Sequence, residues 1–329
     1  MGTATGLSII EFAEQDVKVP LYPVQRVLLK LAYGLPLDGE GERFFVPKDW
    51  RSVGNKVGWL LTEKSYVEYL EAEGRLGGSF SRFNGDSSDS PVTWASEIFW
   101  ALGRRGGKSY LGELIAAYEV LRLIQLGDPH KHYGMFEGAR INVLTVGTDK
   151  DQTGMMYQMA TWLARRSGLL SPYLGNTTLT YAGFQTPEDV RRYGAYRDNP
   201  QAKASIRMTY RSALSKGLCG SAAAAVVLDE FAYMEEGKAI CWSVSPSLLR
   251  DGKLFVVSTP DMTPGSEFYQ LWKGGLSVPG RQSVRVPTWE LNPTIPLSFY
   301  QKMWESNPVR FGVEFGAEFV EPAKPEGAE

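Results

Sequence analysis

The chain has 329 residues, 43% of them apolar and 22% charged, with a formal net charge of −2. That composition is ordinary for a soluble globular protein with room for one large domain or two, and it argues against a protein that coats nucleic acid by bulk charge. The longest uninterrupted apolar stretch, from Ala222 to Leu228, is far too short to span a membrane, and the N-terminus shows no basic-then-apolar secretion signal.

In chain order, residues 35–55 and 74–91 are rich in Gly, Ser, Asp and Pro and read as loops around a helical segment from Glu63 to Glu73. Ile98-Phe-Trp-Ala-Leu102 reads as a buried strand, and after Ser109 the residues Leu111, Leu114, Ile115, Tyr118 and Leu121 recur at helical spacing. Ile141 to Val146 is a strand, followed by a helix face of Met155, Met156, Met159, Ala160 and Leu163 that reads as core. Ala204, Ile206, Met208 and Tyr210 alternate with polar residues, as in a half-exposed strand. Ser221 to Leu228 and Lys253 to Ser258 are buried strands, the second stopped by Thr259-Pro260. After Pro279, repeated Pro and Asn break the pattern. Phe299 to Trp304 and Val309 to Phe315 then read as helical pieces of a small accessory subdomain, and residues 321–329 as a linker-like tail. Alternating strands and helices of this kind predict an α/β fold with a mainly parallel sheet flanked by helices.

Two cysteines, Cys219 and Cys241, with His130 and His132, give neither a disulfide framework nor a zinc spacing, so both thiols are expected reduced and wholly or partly buried. Local basic groups occur at Arg165-Arg166, at Arg191-Arg192 with Arg197, and at Arg207 with Arg211. Most such groups are solvated faces.

The chemistry concentrates in Gly103-Arg104-Arg105-Gly106-Gly107-Lys108-Ser109. A strand that turns through glycines into a helix, with Lys-Ser at the helix start, is a phosphate-binding loop. Its backbone N–H groups and the positive helix end face the phosphates, Lys108 neutralises them, and Ser109 can hold Mg²⁺. The loop departs from the strict G-x-x-x-x-G-K-[ST] form, because Leu102 sits at the first glycine position and Gly103 comes one residue late. A second signal is the apolar run into Asp229-Glu230. A Mg²⁺-nucleotide site requires such acids at a strand end. Asp229 would hold the metal's water shell and Glu230 would polarise the attacking water.

Four motifs in order make the chain resemble the ATPase domain of the large terminase subunit of tailed bacteriophages. They are Leu21-Tyr-Pro-Val-Gln25, the loop Gly103–Ser109, Val226-Val-Leu-Asp-Glu230 and Val256-Val-Ser-Thr-Pro260. The resemblance implies a P-loop sheet of the RecA/ASCE type with a small lid subdomain. It places an ATPase domain over residues 1–320, with its core at about 98–262 and accessory parts at about 1–97 and 263–320. It further implies that Gln25 reads the adenine edge and that Arg104 acts as a cis arginine finger or nucleotide sensor, with Arg105 the alternative. Ser258, Thr259 and Pro260 would relay the state of the γ-phosphate. Thr148, Asp149 and Gln152 sit where related translocases approach DNA.

The implied cofactors are ATP and Mg²⁺. The implied partners are double-stranded DNA, a portal or procapsid, a small terminase subunit and further copies in a ring, with no membrane, in the host cytoplasm and transiently at the procapsid vertex. Fewer than seventy residues follow Pro260 and their acids are scattered, so no nuclease domain is expected. A helicase-like translocase is the alternative within the same chemistry, and an ATP-switched binding module is the alternative outside it.

Overall fold

A computed structural model describes residues 6–78, 95–213, 222–278 and 280–322. Eleven strands lie among the described residues: β1 (Phe44–Pro47), β2 (Gly58–Leu61), β3 (Leu76–Gly78), β4 (Glu97–Leu102), β5 (Ile141–Gly147), β6 (Leu174–Thr177), β7 (Tyr181–Phe184), β8 (Ile206–Ser212), β9 (Ala223–Asp229), β10 (Leu248–Ser258) and β11 (Arg281–Val286). They build a large, mostly parallel sheet flanked by helices, which is the α/β class expected from the alternating patterns. The chain divides into two compact units.

The first unit comprises residues 1–21 and 109–256. Its strands run in the order β10-β9-β5-β8-β7-β6, with β5 parallel to both β8 and β9 and with β7 antiparallel to β6 and β8. All seven residues of β9 are buried, which is why it reads as a continuous apolar run rather than an alternating one. The helix Lys108–Gln125 is buried on every side from Leu111 to Leu121. Only one face of the helix Lys150–Arg166 is covered. Met156, Ala160 and Leu163 are buried, but Met155 and Met159, expected in the core, are exposed, because they fall on the solvent side of the helix.

The second unit comprises residues 22–108 and 257–329. Here β11 pairs parallel with β4 and antiparallel with β3. The segment after Pro279, expected to be broken, contains β11. Residues 35–55, expected as loop, contain β1, which pairs antiparallel with β2 and sets Phe44 edge-on against Tyr66 at 5.5 Å. The helices Leu297–Ser306 and Pro308–Glu314 match the expected accessory pieces. Their core is aromatic: Tyr300, Phe311 and Phe315 are buried against Trp50, Trp289, Phe299 and Trp304. Of the cysteines, Cys241 is buried and free, and Cys219 lies outside the described residues, as do residues 79–91 and 323–329 of the expected loop and tail. Among the described residues no helix is long and apolar enough to cross a membrane.

Candidate active site

In the second unit, β4 feeds Gly103–Lys108. The loop glycines are required by contact as well as by conformation. A Cβ on Gly103 would stand 2.3 Å from Thr288 Oγ1, and one on Gly106 would stand 2.6 Å from Leu291 Cδ1. Gly107 has φ +90°, and a Cβ there would meet Gln25 Nε2 at 2.7 Å. Gln25, in the first turn of the helix Pro23–Tyr33, is buried. Its Nε2 donates to Gly106 O at 3.0 Å and its Oε1 accepts from Tyr22 N at 3.1 Å. The amide therefore props the loop from beneath.

The two loop arginines are held by the accessory helices. Arg104 donates from its backbone N to Glu314 O at 2.7 Å and from Nη1 to Glu314 Oε2 at 3.1 Å. Arg105, in the left-handed region at φ 61°, lays its guanidinium over the Phe299 ring at 4.7 Å. Lys108 is buried, and its Nζ donates to Thr259 Oγ1 at 2.7 Å. Ser258 turns its hydroxyl onto Thr259 O at 2.8 Å, and Pro260 follows, also buried. Lys108 and the Ser-Thr-Pro segment, 151 residues apart in sequence, are thus in direct hydrogen-bond contact.

In the first unit, Ser109 Oγ donates to Asp229 Oδ2 at 2.7 Å. Asp229 lies at the end of β9 and is 1% exposed, and its Oδ1 accepts from the Glu230 backbone N at 3.1 Å. A hydroxyl and a carboxylate are the hard oxygen donors that Mg²⁺ takes, so this pair fits the expected metal. Glu230 has φ 56° and ψ 40°, a left-handed backbone that costs a non-glycine residue about 1–3 kcal/mol.

Sequence reasoning missed two supports of these groups. One is Glu113, a turn beyond Ser109, 1% exposed and accepting from Tyr210 Oη at 2.7 Å. Burial holds its carboxyl well above the usual range, the Tyr210 hydrogen bond opposes this, and the charge of Asp229 adds to it. An acid inside an otherwise apolar helical run was the available signal.

The other support, in the second unit, is a clamp on the loop. Thr288 Oγ1 donates to Arg104 O at 2.7 Å and Asn292 Nδ2 to Arg105 O at 3.0 Å. Between them, Glu290 takes both arms of the Arg75 guanidinium, at 2.8 and 2.9 Å, and the Tyr66 hydroxyl at 2.6 Å. Burial opposes the charge on Arg75, but the Glu290 carboxylate more than offsets it and holds the guanidinium protonated well above its ordinary range. Thr148 and Gln152, expected near DNA, bond to one another instead, and Asp149 caps the helix Lys150–Arg166.

A glycine loop bracing a buried lysine, on a mostly parallel α/β sheet, defines a P-loop domain. The chain belongs to the family described as "Uncharacterized protein MJ0330, N-terminal P-loop domain", which matches residues 82–316. Among solved structures it is similar to the large terminase ATPase domain of Thermus phage P74-26, at 21% identity and a TM-score of 0.50, covering 69% of this chain and 89% of that one. It is also similar to the large terminase of bacteriophage HK97, at 13% identity and a TM-score of 0.46, covering 70% of this chain and 48% of that one. The large terminase of another thermophilic bacteriophage, in complex with ADP, gives 13% identity and a TM-score of 0.48, covering 71% of this chain and 50% of that one. The chain thus spans about half the length of these last two terminases. No curated protein sequence matches it. The P74-26 likeness bears on the fold, and the fold agrees with the resemblance read from the four motifs.

Proposed function

We propose that this chain is an ATP-hydrolysing motor domain that drives double-stranded DNA into a viral procapsid. The observation that carries the ATPase part is the 2.7 Å contact of Ser109 with Asp229, two metal-type ligands 120 residues apart in sequence. Lys108 neutralises the phosphates, Ser109 and Asp229 hold Mg²⁺, and Glu230 polarises the attacking water. Gln25 keeps one amide N–H and one carbonyl lone pair beyond its two loop contacts, enough to meet the donor and acceptor of adenine. Arg104 or Arg105 leaves its accessory-helix contact to stabilise charge on the transferring phosphoryl group. Thr259, on the Lys108 ammonium, is placed to register loss of the γ-phosphate and pass it along the Ser-Thr-Pro segment.

Working copies form a ring on the portal together with a small terminase subunit, in the host cytoplasm and transiently at the procapsid vertex. DNA cleavage is left to another domain or chain. An ATP switch that binds without hydrolysing is the weaker reading, because a switch has no use for a carboxylate beside Asp229 held on a costly backbone. The test is ATP turnover with Mg²⁺, with and without duplex DNA and procapsids, in the wild type and in Lys108→Ala. Turnover in the wild type that Lys108→Ala abolishes is expected. Equal turnover in both would reduce Gly103–Ser109 to a strand–helix turn.

A further inference from the structure

The basic groups of the first unit sort into two kinds. Arg191 and Arg192 pair with Glu188, Arg192 also with Glu137, and Arg197 with Asp198. Among the described residues, Arg140, Arg207 and Arg211 have no carboxylate partner. These three line two adjoining grooves of about 720 and 200 Å³ that share Arg140 and Arg207, and no Asp or Glu lines either one. Arg207, Thr209 and Arg211 alternate on one face of β8, so the two arginines stand about 13 Å apart along the strand. Burial, and then repulsion from Arg140, weaken the hold of Arg207 on its proton. The grooves therefore concentrate like charge with nothing of opposite sign to relieve it. They open by Arg140 and Ala222, at the start of β5 and β9, whereas Asp229 ends β9 about 20 Å further on. The nucleotide's phosphates are therefore not what these arginines meet.

We infer that Arg140, Arg207 and Arg211 form a binding surface for the phosphate backbone of double-stranded DNA. The choice of duplex has its own argument. Surfaces for single strands stack bases on free aromatic faces. Here the Tyr181 ring is already covered by the Arg207 guanidinium at 4.2 Å. What remains is charge with polar neighbours, Asn142 and Thr209, which suits phosphates and carries no base readout. The inference deepens the motor reading by naming where its DNA is held, and it rests on that reading for the partner.

The experiment is fluorescence anisotropy of a labelled 30-base-pair duplex against protein without nucleotide, over a salt series. Each phosphate contact contributes about −0.9 to the slope of log K against log salt. Arg211→Gln, at an exposed position, should therefore flatten the slope by about 0.9, and Arg207→Gln/Arg211→Gln by about 1.8. Arg207→Lys/Arg211→Lys should restore it, and Arg191→Gln/Arg192→Gln should leave it unchanged. An unchanged slope in Arg211→Gln and in the double Gln variant overturns the proposal. So does tighter binding of a single strand by the same arginines. Basal ATP turnover, read in the same variants without DNA, should equal that of the wild type. A wild type that binds duplex through these arginines but hydrolyses nothing would sink the ATPase reading and leave the binding surface standing.

Discussion

Replacing Glu290 with glutamine removes the charge but not the shape from the centre of the loop clamp. The Arg75 and Glu290 side chains are 9% and 2% exposed, so neither can turn to water when its partner is lost. In the variant, one carboxylate oxygen that accepts from Arg75 becomes an amide N–H₂ facing a guanidinium N–H, and the buried positive charge loses its counter-charge. Breaking a buried pair from one side costs about 3–5 kcal/mol. With a denaturant slope of about 3 kcal/mol/M, the urea midpoint should fall by about 1 M or more. Arg75→Met/Glu290→Leu should recover most of that loss, because apolar groups of similar volume replace a buried pair at little net cost. Urea denaturation followed by circular dichroism at pH 7 measures both. A single-variant shift below about 0.3 M, or a double variant as weak as the sum of the two singles, would refute the clamp as a desolvated and coupled unit.

Glu230→Gln should still bind ATP while turnover falls by orders of magnitude, and joint loss of binding and turnover would make Glu230 a metal ligand or a structural residue instead. Arg104→Ala and Arg105→Ala, assayed in parallel, decide which loop arginine reaches the phosphate. The one that does should cost roughly a hundredfold or more, since such arginines contribute about 10³–10⁵, and equal mild losses would place the finger on another subunit. Lys253, 1% exposed, is pushed down from 10.5 to about 7 by burial and then by Arg122, against the pull of Glu119 and Asp251. Below pH 7 the native state carries this buried charge. Between pH 7 and 10.5 the unfolded chain binds the extra proton, so stability rises with pH over that window. Lys253→Met should therefore raise the melting temperature more at pH 6 than at pH 9, and an equal gain at both would show that the lysine's charge is not the cost.

The parts of the fold legible in the sequence are those whose burial is uniform. β4 and β9 read as apolar runs because both faces are covered, and the helix after Ser109 shows its period clearly. β11 was hidden because its interior is polar. Gln282 and Ser283 are fully buried yet satisfied by main-chain carbonyls, at 3.3 Å to Leu31 O and 2.6 Å to Trp272 O, so hydrophobic patterning could not reveal them. The β1–β2 hairpin was masked by the Gly, Asp and Pro around it. In the candidate site, Lys108, Ser109, Asp229 and Thr259 belong to motifs with their own spacing. Thr288, Glu290 and Asn292 belong to none. The loop partners of Thr288 and Asn292 lie 184 and 187 residues away, and no local pattern marks a residue whose role is to hold a distant carbonyl.

The left-handed backbone at Glu230 places two selection pressures in opposition at one position. Glycine there would relieve the torsional cost of φ 56° and raise stability, whereas only an acid beside Asp229 can draw a proton from water. A library of variants sorted for thermal resistance alone should drift to glycine or asparagine at position 230, and one sorted for turnover should keep glutamate. The residue that survives each screen would separate what the fold prefers from what the chemistry demands.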